Sequence, residues 1–316
     1  GLASAPTQHR ERQCCEYSNH GNDDKQFQQG KRLFRFHGCG ERLGANPNRP
    51  RARAHSVFLQ IRTCWRRAAC FRIFRAMIRL VLFDIDGTLV HTGGAGVKAF
   101  AKVFATHFGA TDHFERLKFA GRTDVSLVRE FFGFHNIPAT EENFTAFFDQ
   151  YVFWLDHILS TSRTDMCPGV KEWLEGLRGL PSPPLRGLLT GNIRLGAEIK
   201  LRHFDLWDWF ETGAFADDSE DRDEIARVAK ERGGRILGRR LAGEEVLVIG
   251  DTPLDVRCAR AIGAKILAVA TGGATLEELR RNEPDYLVRD LREIQPEDVC
   301  GRMERREPGK HSTPTI

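Results

Sequence analysis

No apolar run in this sequence approaches the roughly 18–20 residues that a membrane-crossing helix needs, and the longest candidates are cut by Arg or Asp. Neither a helical span nor a membrane partner is expected. Cysteine is sparse where the hydrophobic pattern is strong. Of eight in the chain, Cys14, Cys15, Cys39, Cys64 and Cys70 precede residue 77, and only Cys167, Cys258 and Cys300 follow. Their spacing forms neither a zinc signature nor the even framework of a small secreted domain. The body therefore reads as a reduced, cytoplasmic protein. Methionine is scarcer still, at three residues, and the first is Met77.

Residues 1–76 lack any sustained hydrophobic period and are rich in Arg, Gln, Asn, His and Gly. They hold 15 Lys/Arg against 5 Asp/Glu, a net of +10, so the rest of the chain sums to −6 within the overall +4. This segment is expected to lie outside the fold. Three origins are open: upstream sequence translated from a wrong start, a genuine disordered basic arm, or, over residues 54–75, an Arg-rich, acid-free organelle-targeting helix, which would begin far from the N-terminus. A basic arm is weak evidence for nucleic acid or a membrane surface, and no specific nucleic-acid binding is expected.

The remainder has a clear organisation. The run RLVLFD, 79–84, suits a strand buried on both faces of a parallel sheet. Residues 93–108 read as a helix, with Val97, Phe100, Val103, Phe104 and Phe108 at helical spacing. From about 110 to 165 the pattern is helical throughout, over 126–132 and 141–160. Strand-like runs return at 185–189, 245–250, 265–270 and 286–288, with helix patterns at 195–203, 254–262 and 275–282. This alternation implies an α/β fold with a doubly wound parallel sheet. Residues 77–92 and 166–295 would form the core, 93–165 a helical insertion after the first strand, and 296–316 a flexible tail.

The string FDIDGTLV, 83–90, carries the first chemical signal. The strand delivers Asp84 to its carboxyl end, the edge of a parallel sheet where ligands bind. A carboxylate there can attack phosphorus and form a covalent intermediate. Asp86, two residues on, faces the same side and can protonate a leaving oxygen, then activate water. Gly87 permits a tight turn with close backbone approach, and Thr88 offers a hydroxyl for orientation. A strand followed by an Asx-type turn is the plainer reading of the same residues.

This string resembles the first motif of the haloacid dehalogenase superfamily, particularly its phosphatases, and the resemblance covers about residues 78–290. It implies a Rossmann-like core with a helical cap inserted after the first strand. LLTGN, 188–192, looks like the second motif. There the Thr190 hydroxyl would hold the transferring phosphate, with Gly191 and Asn192 beside it; a strand-to-helix turn with an N-cap is the alternative. VIGDTPLD, 248–255, matches the acidic motif. Asp251 and Asp255, with Asp84 and the main-chain carbonyl of Asp86, could hold magnesium, a hard cation that takes carboxylate oxygens, or the two acids could simply cap the following helix.

One departure stands out. The superfamily usually places a Lys between the second and fourth motifs, and none occurs at the expected place in 212–234. Arg222 is the candidate substitute, as a permanently charged fork of donors, with Lys230 as runner-up. Arg222 could equally be a surface partner of Asp221 or Asp223. GRTD, 121–124, resembles a cap segment that enters the site, where Arg122 could meet a second anionic group on the substrate or merely precede a helix N-cap. CPGVKEWLEGL, 167–177, resembles the return from cap to core. The resemblance implies a magnesium-dependent phosphatase acting on a small phosphorylated metabolite, with phosphoglycolate suggested by the capped phosphatases, working as a monomer or homodimer. A phosphomutase uses the same two aspartates and stays open. A catalytically idle binding domain has only the missing Lys in its favour. Asp86 argues against a dehalogenase or a phosphonate hydrolase.

Overall fold

The computed structural model describes residues 77–301. The readings of residues 1–76, and of the tail beyond 301, lie outside the described residues.

Leu80, Val81, Leu82 and Phe83 form β1, and all four side chains are fully buried. A strand that is apolar at every position needs cover on both faces. Leu80 and Leu82 face one layer, where they pack with Ile225, Ala226, Ala229, Val256 and Ala259. Val81 and Phe83 face the other, with Trp173, Leu174, Leu177 and Leu201. The first layer comes from α6 (Arg222–Ile236) and α7 (Pro253–Ala261), the second chiefly from α4 (Val170–Gly179) and α5 (Arg194–His203).

The other sheet strands are β4 (Leu185–Leu189), β5 (Thr212–Ala214), β6 (Val246–Gly250), β7 (Lys265–Val269) and β8 (Tyr286–Val288). They join β1 in a six-stranded sheet of order β5-β4-β1-β6-β7-β8, parallel at every pairing. The doubly wound α/β reading therefore holds. The chain passes from β1 outward to one side through β4 and β5, then crosses back to β6. The order reverses beside β1, and ligands bind in the crevice at such a reversal. Helix α8 (Leu276–Arg280) precedes β8.

Edge strand β5 was not anticipated. Its three residues, Thr-Gly-Ala, show neither alternation nor an apolar run, and only pairing with β4 makes them a strand. The C-terminal boundary also needs correcting. Pro296–Cys300, placed from sequence in the flexible tail, forms a short helix, α9. Val299 and Cys300 are buried against the α4 layer, and Ile78 N–H donates to the Cys300 carbonyl at 3.3 Å. A proline at the start of a helix is easily mistaken for the start of a tail, because both begin with the same residue.

Between β1 and β4 the chain forms α1 (Ala95–His107), α2 (Asp124–Phe134) and α3 (Glu141–Thr161). These helices bury their own phenylalanine-rich cluster, with Phe100, Phe104, Phe131, Phe132 and Phe147 at its centre. The insertion leaves and rejoins the core through a two-stranded antiparallel ribbon, β2 (Val90–His91) with β3 (Asp165–Met166). No helix among the described residues is long and apolar enough to cross a membrane.

Candidate active site

The carboxyl ends of β1, β4 and β6 converge on one cavity, whose lining includes Asp84, Asp86, Thr190, Arg222 and Asp251. Asp84 is 5% exposed, and its N–H still belongs to the sheet, donating to the Ile249 carbonyl at 2.9 Å. The turn that follows depends on Gly87. Its φ is +81°, and a Cβ there would lie 2.6 Å from Asp251 Oδ2 and 2.8 Å from Gly272 Cα. The missing side chain makes room for Asp251, and the glycine itself lines the cavity. Thr88, expected to orient substrate, is instead buried and donates to Asp251 Oδ1 at 3.2 Å. It is a support for the acid, because the turn rotates its hydroxyl into the interior.

Asp251 and Asp255 follow β6. Carboxylate oxygens of Asp84, Asp251 and Asp255 lie within 4.8 Å of one another. Asp255 is fully buried, and its carboxylate is already engaged: Oδ2 accepts from Thr252 N–H at 3.0 Å and from Thr252 Oγ1 at 2.6 Å, while Oδ1 is ion-paired with Arg222. Thr252 and Asp255 form a capping box at the start of α7, where Pro253 sits in the first turn. The capping reading is thus correct for Asp255, and the residue also anchors Arg222. Burial, then repulsion from Asp255, pushes the Asp84 carboxyl well above the ordinary carboxylate range, with Arg222 opposing. Burial, then repulsion from Asp255 and Asp84, does the same to Asp251. This set of mutually repelling buried oxygens is chemically suited to a hard cation such as magnesium.

Arg222 is the first residue of α6 and is 4% exposed. Its guanidinium reaches Asp255 and comes within 3.7 Å of Asp84 Oδ1. It is not a surface partner of its neighbours. Lys230, two turns along the same helix, points elsewhere and donates to the Ile262 carbonyl at 2.9 Å. Of the two candidate cations, only Arg222 lines the cavity.

A second cation in the site escaped the sequence reading. Lys200, on α5, is 3% exposed, with Nζ 2.6 Å from Asp86 Oδ2 and 2.6 Å from Asn192 Oδ1. A signal for it existed. Ile193, Ala197 and Leu201 make the buried stripe of this helix, and Lys200 falls on that stripe, where an unpaired lysine is not tolerated. Asn192, expected beside the phosphate, is bound within this cluster: Nδ2 donates to Asp86 Oδ2 at 2.9 Å and to Thr190 Oγ1 at 2.8 Å. The Asp86 side chain thus turns toward Lys200 and Asn192, apart from the acidic triad. Thr190 is buried at the end of β4, and its N–H donates to the Ala214 carbonyl at 3.3 Å.

The insertion reaches the site through residues 121–124. Gly191 is required by this approach: a Cβ would lie 2.1 Å from the Arg122 carbonyl oxygen. Asp124 N–H donates to the Gly191 carbonyl at 2.7 Å, and Asp124 Oδ2 accepts from Ile193 N–H at 2.8 Å. An acid from the insertion thus caps the start of core helix α5. Burial raises the Asp124 carboxyl to about 7, with Lys200 opposing. Thr123 caps α2 through Ser126 N–H. Arg122 does not present a free cation to the cavity, because its guanidinium is ion-paired with Glu130.

Comparison with known proteins matches this arrangement to one family. The family model of haloacid dehalogenase-like hydrolases matches residues 81–269. The chain is 27% identical over 219 residues to "Probable phosphatase IndB" of Dickeya dadantii, covering 68% of this chain and 91% of that protein. It is 24% identical over 232 residues to "Pyrophosphatase PpaX" of Halalkalibacterium halodurans, covering 69% and 95%. A crystal structure described as a predicted phosphoglycolate phosphatase from Haemophilus somnus shares the fold, with a TM-score of 0.55 at 18% identity, covering 68% and 95%. With the matched segment spanning β1 to β7 and including Asp84, Thr190, Arg222, Asp251 and Asp255, this chain belongs to the haloacid dehalogenase-like hydrolase family.

Proposed function

We propose that the chain is a magnesium-dependent phosphatase that hydrolyses a small phosphorylated molecule through an aspartyl phosphate on Asp84. The observation that carries this reading is the convergence of Asp84, Asp86, Thr190, Arg222 and Asp251 on one cavity under a helical insertion. Relatives named as a phosphatase and a pyrophosphatase support it.

In this mechanism the Asp84 carboxylate attacks phosphorus, and the bond from phosphorus to the leaving oxygen breaks. Asp86 gives that oxygen a proton. Asp86 then takes a proton from water as the water attacks the phosphorus. The bond to Asp84 breaks and inorganic phosphate is released. The buried Arg222 and the Thr190 hydroxyl offset the charge on the phosphoryl oxygens. Asp84, Asp251 and the main-chain carbonyl of Asp86 would hold magnesium, with Asp255 behind them fixing Arg222. The ion would screen the phosphate from the carboxylates and orient the displacement. Helices α1–α3 act as the cap that excludes water. The buried free thiols Cys167, Cys258 and Cys300 suit a cytoplasmic setting.

The test is phosphate release from the full chain across phosphorylated small molecules and p-nitrophenyl phosphate, with magnesium or EDTA. Metal-dependent release, lost in Asp84→Asn, is expected. Silence toward every substrate would refute the reading, and conversion to an isomeric phosphate ester without release would assign a mutase instead.

A further inference from the structure

The cavity measures about 600 Å³, the size of a small-molecule site. Its two sides differ in chemistry. The core side carries Asp84, Asp86, Asp251, Arg222 and Lys200. The insertion side is mostly apolar, with Val97, Phe100, Phe119, Leu127 and Tyr151 in its lining beside Arg122 and Asp124. Phe100 packs edge-to-face against Phe119, with centroids 5.5 Å apart, and against Tyr151 at 4.8 Å. Such contacts fix the rings in place.

Among the described residues, three Lys or Arg side chains line this cavity, and each already meets a carboxylate. Arg222 meets Asp255, Lys200 meets Asp86, and Arg122 meets Glu130. Arg122 is the one cation that the insertion contributes. Its guanidinium is held on α2 by Glu130 and also reaches the carbonyl and hydroxyl of Ser126 at 3.4 and 3.3 Å. His91 is exposed.

Resting on the phosphatase reading, we infer that the leaving group of the substrate is a neutral, largely apolar alcohol, and that Glu130 is the residue that excludes a second anion. A carboxylate or second phosphate on the leaving group would have to displace Glu130 from Arg122, or remain unpaired near Asp86 and Asp124. The first course breaks a charge-assisted pair and the second sets like charges together. An apolar alcohol meets no unpaired charge there and covers the exposed surface of Val97 and Phe119. Selectivity of this kind comes from a charge set against the wrong substrate as much as from contacts with the right one. It separates this chain from a relative named as a pyrophosphatase, whose substrate carries a second phosphoryl group.

The experiment compares kcat/KM for benzyl phosphate and phosphoglycolate, using the full chain with magnesium. Both release a primary alcohol that Asp86 must protonate, so the ratio reports recognition rather than leaving-group chemistry. Benzyl phosphate is expected to be favoured by at least about tenfold. Glu130→Gln frees Arg122 and is expected to raise kcat/KM for phosphoglycolate by about tenfold, with benzyl phosphate unchanged within about twofold. Phe119→Ala is expected to raise KM for benzyl phosphate and not for methyl phosphate. Equal or better use of phosphoglycolate by the wild type, or an unchanged substrate ratio in Glu130→Gln, would overturn the inference. No turnover of either ester or of p-nitrophenyl phosphate would instead remove the phosphatase reading, and this inference with it.

Discussion

Lys200 Nζ stands 2.6 Å from Asp86 Oδ2, and the two residues share Asn192, which accepts from the lysine and donates to the aspartate. The Lys200 side chain is 4% exposed and that of Asp86 is 42% exposed. A buried, doubly anchored ammonium therefore fixes the position of a carboxylate that faces the cavity. Its partner is the proposed acid and base, so Lys200 is a positioning residue for proton transfer.

Loss of Lys200 should depend on the leaving group. In Lys200→Met, kcat for alkyl phosphates is expected to fall by about 10²-fold, the lower part of the range for general acid catalysis. Release of dinitrophenolate from its phosphate ester needs no proton, so its first-turnover burst should survive, followed by slow steady turnover. Burst kinetics with the two ester classes check this. Equal losses in the burst and in alkyl ester turnover would indicate a purely structural role.

Arg222 and Lys230 should separate cleanly. Arg222→Ala removes the cation 3.7 Å from Asp84 and strands the buried Asp255. A loss of about 10²–10³ in kcat is expected. Lys230 donates to the Ile262 carbonyl and does not line the cavity, and Lys230→Ala should retain activity within about threefold. Steady-state kinetics on both variants test the assignment, which a worse defect in Lys230→Ala would reverse.

Metal binding has a readout independent of turnover. Magnesium should relieve the repulsion among Asp84, Asp251 and Asp255 and so raise the melting temperature of the wild type. In Asp251→Asn the shift should be much smaller, and the magnesium concentration for half-maximal activity should rise by at least about tenfold. Thermal melts across a magnesium titration measure the first effect. A shift of the same size in the variant would exclude Asp251 as a ligand.

Asp124 should make stability fall as pH rises. Its carboxyl is raised from 3.8 to about 7 by burial, so between those pH values the native state binds the proton and the unfolded chain has released it. Stability is therefore fully present below pH 3.8 and declines up to about pH 7. Asp124→Asn keeps an acceptor for Ile193 N–H and removes the titration. Its advantage over the wild type should grow with pH toward an upper bound of about 4 kcal/mol. Urea denaturation of both proteins at pH 5 and pH 8 checks the sign.

The extent to which each residue was legible follows from the range of the signal. Asp84 and Asp86 were legible because the buried strand before them and the turn after them are contiguous in sequence. Arg222 was found only as one of two candidates, since its choice over Lys230 depends on which turn of α6 faces the cavity. Thr88, Asn192 and Arg122 were assigned to substrate because a polar side chain near a motif has the same sequence signature whether it faces a ligand or a neighbouring acid. Asp251, Asp86 and Glu130, their actual partners, are 163, 106 and 8 residues away, respectively.

By itself, the sequence determined the alternation of strands and helices, the burial of β1 on both faces, the place of the insertion and the four central aspartates. These are consequences of local hydrophobic period and short motifs. The tertiary structure decided which charges neutralise one another. Lys200 lies on a helix with no motif of its own and matters only because α5 brings it to Asp86. Arg122 is committed to Glu130 because the turn before α2 lays its guanidinium along that helix. Such pairings depend on distances in space, set by how the layers pack, and no local pattern in the chain encodes them.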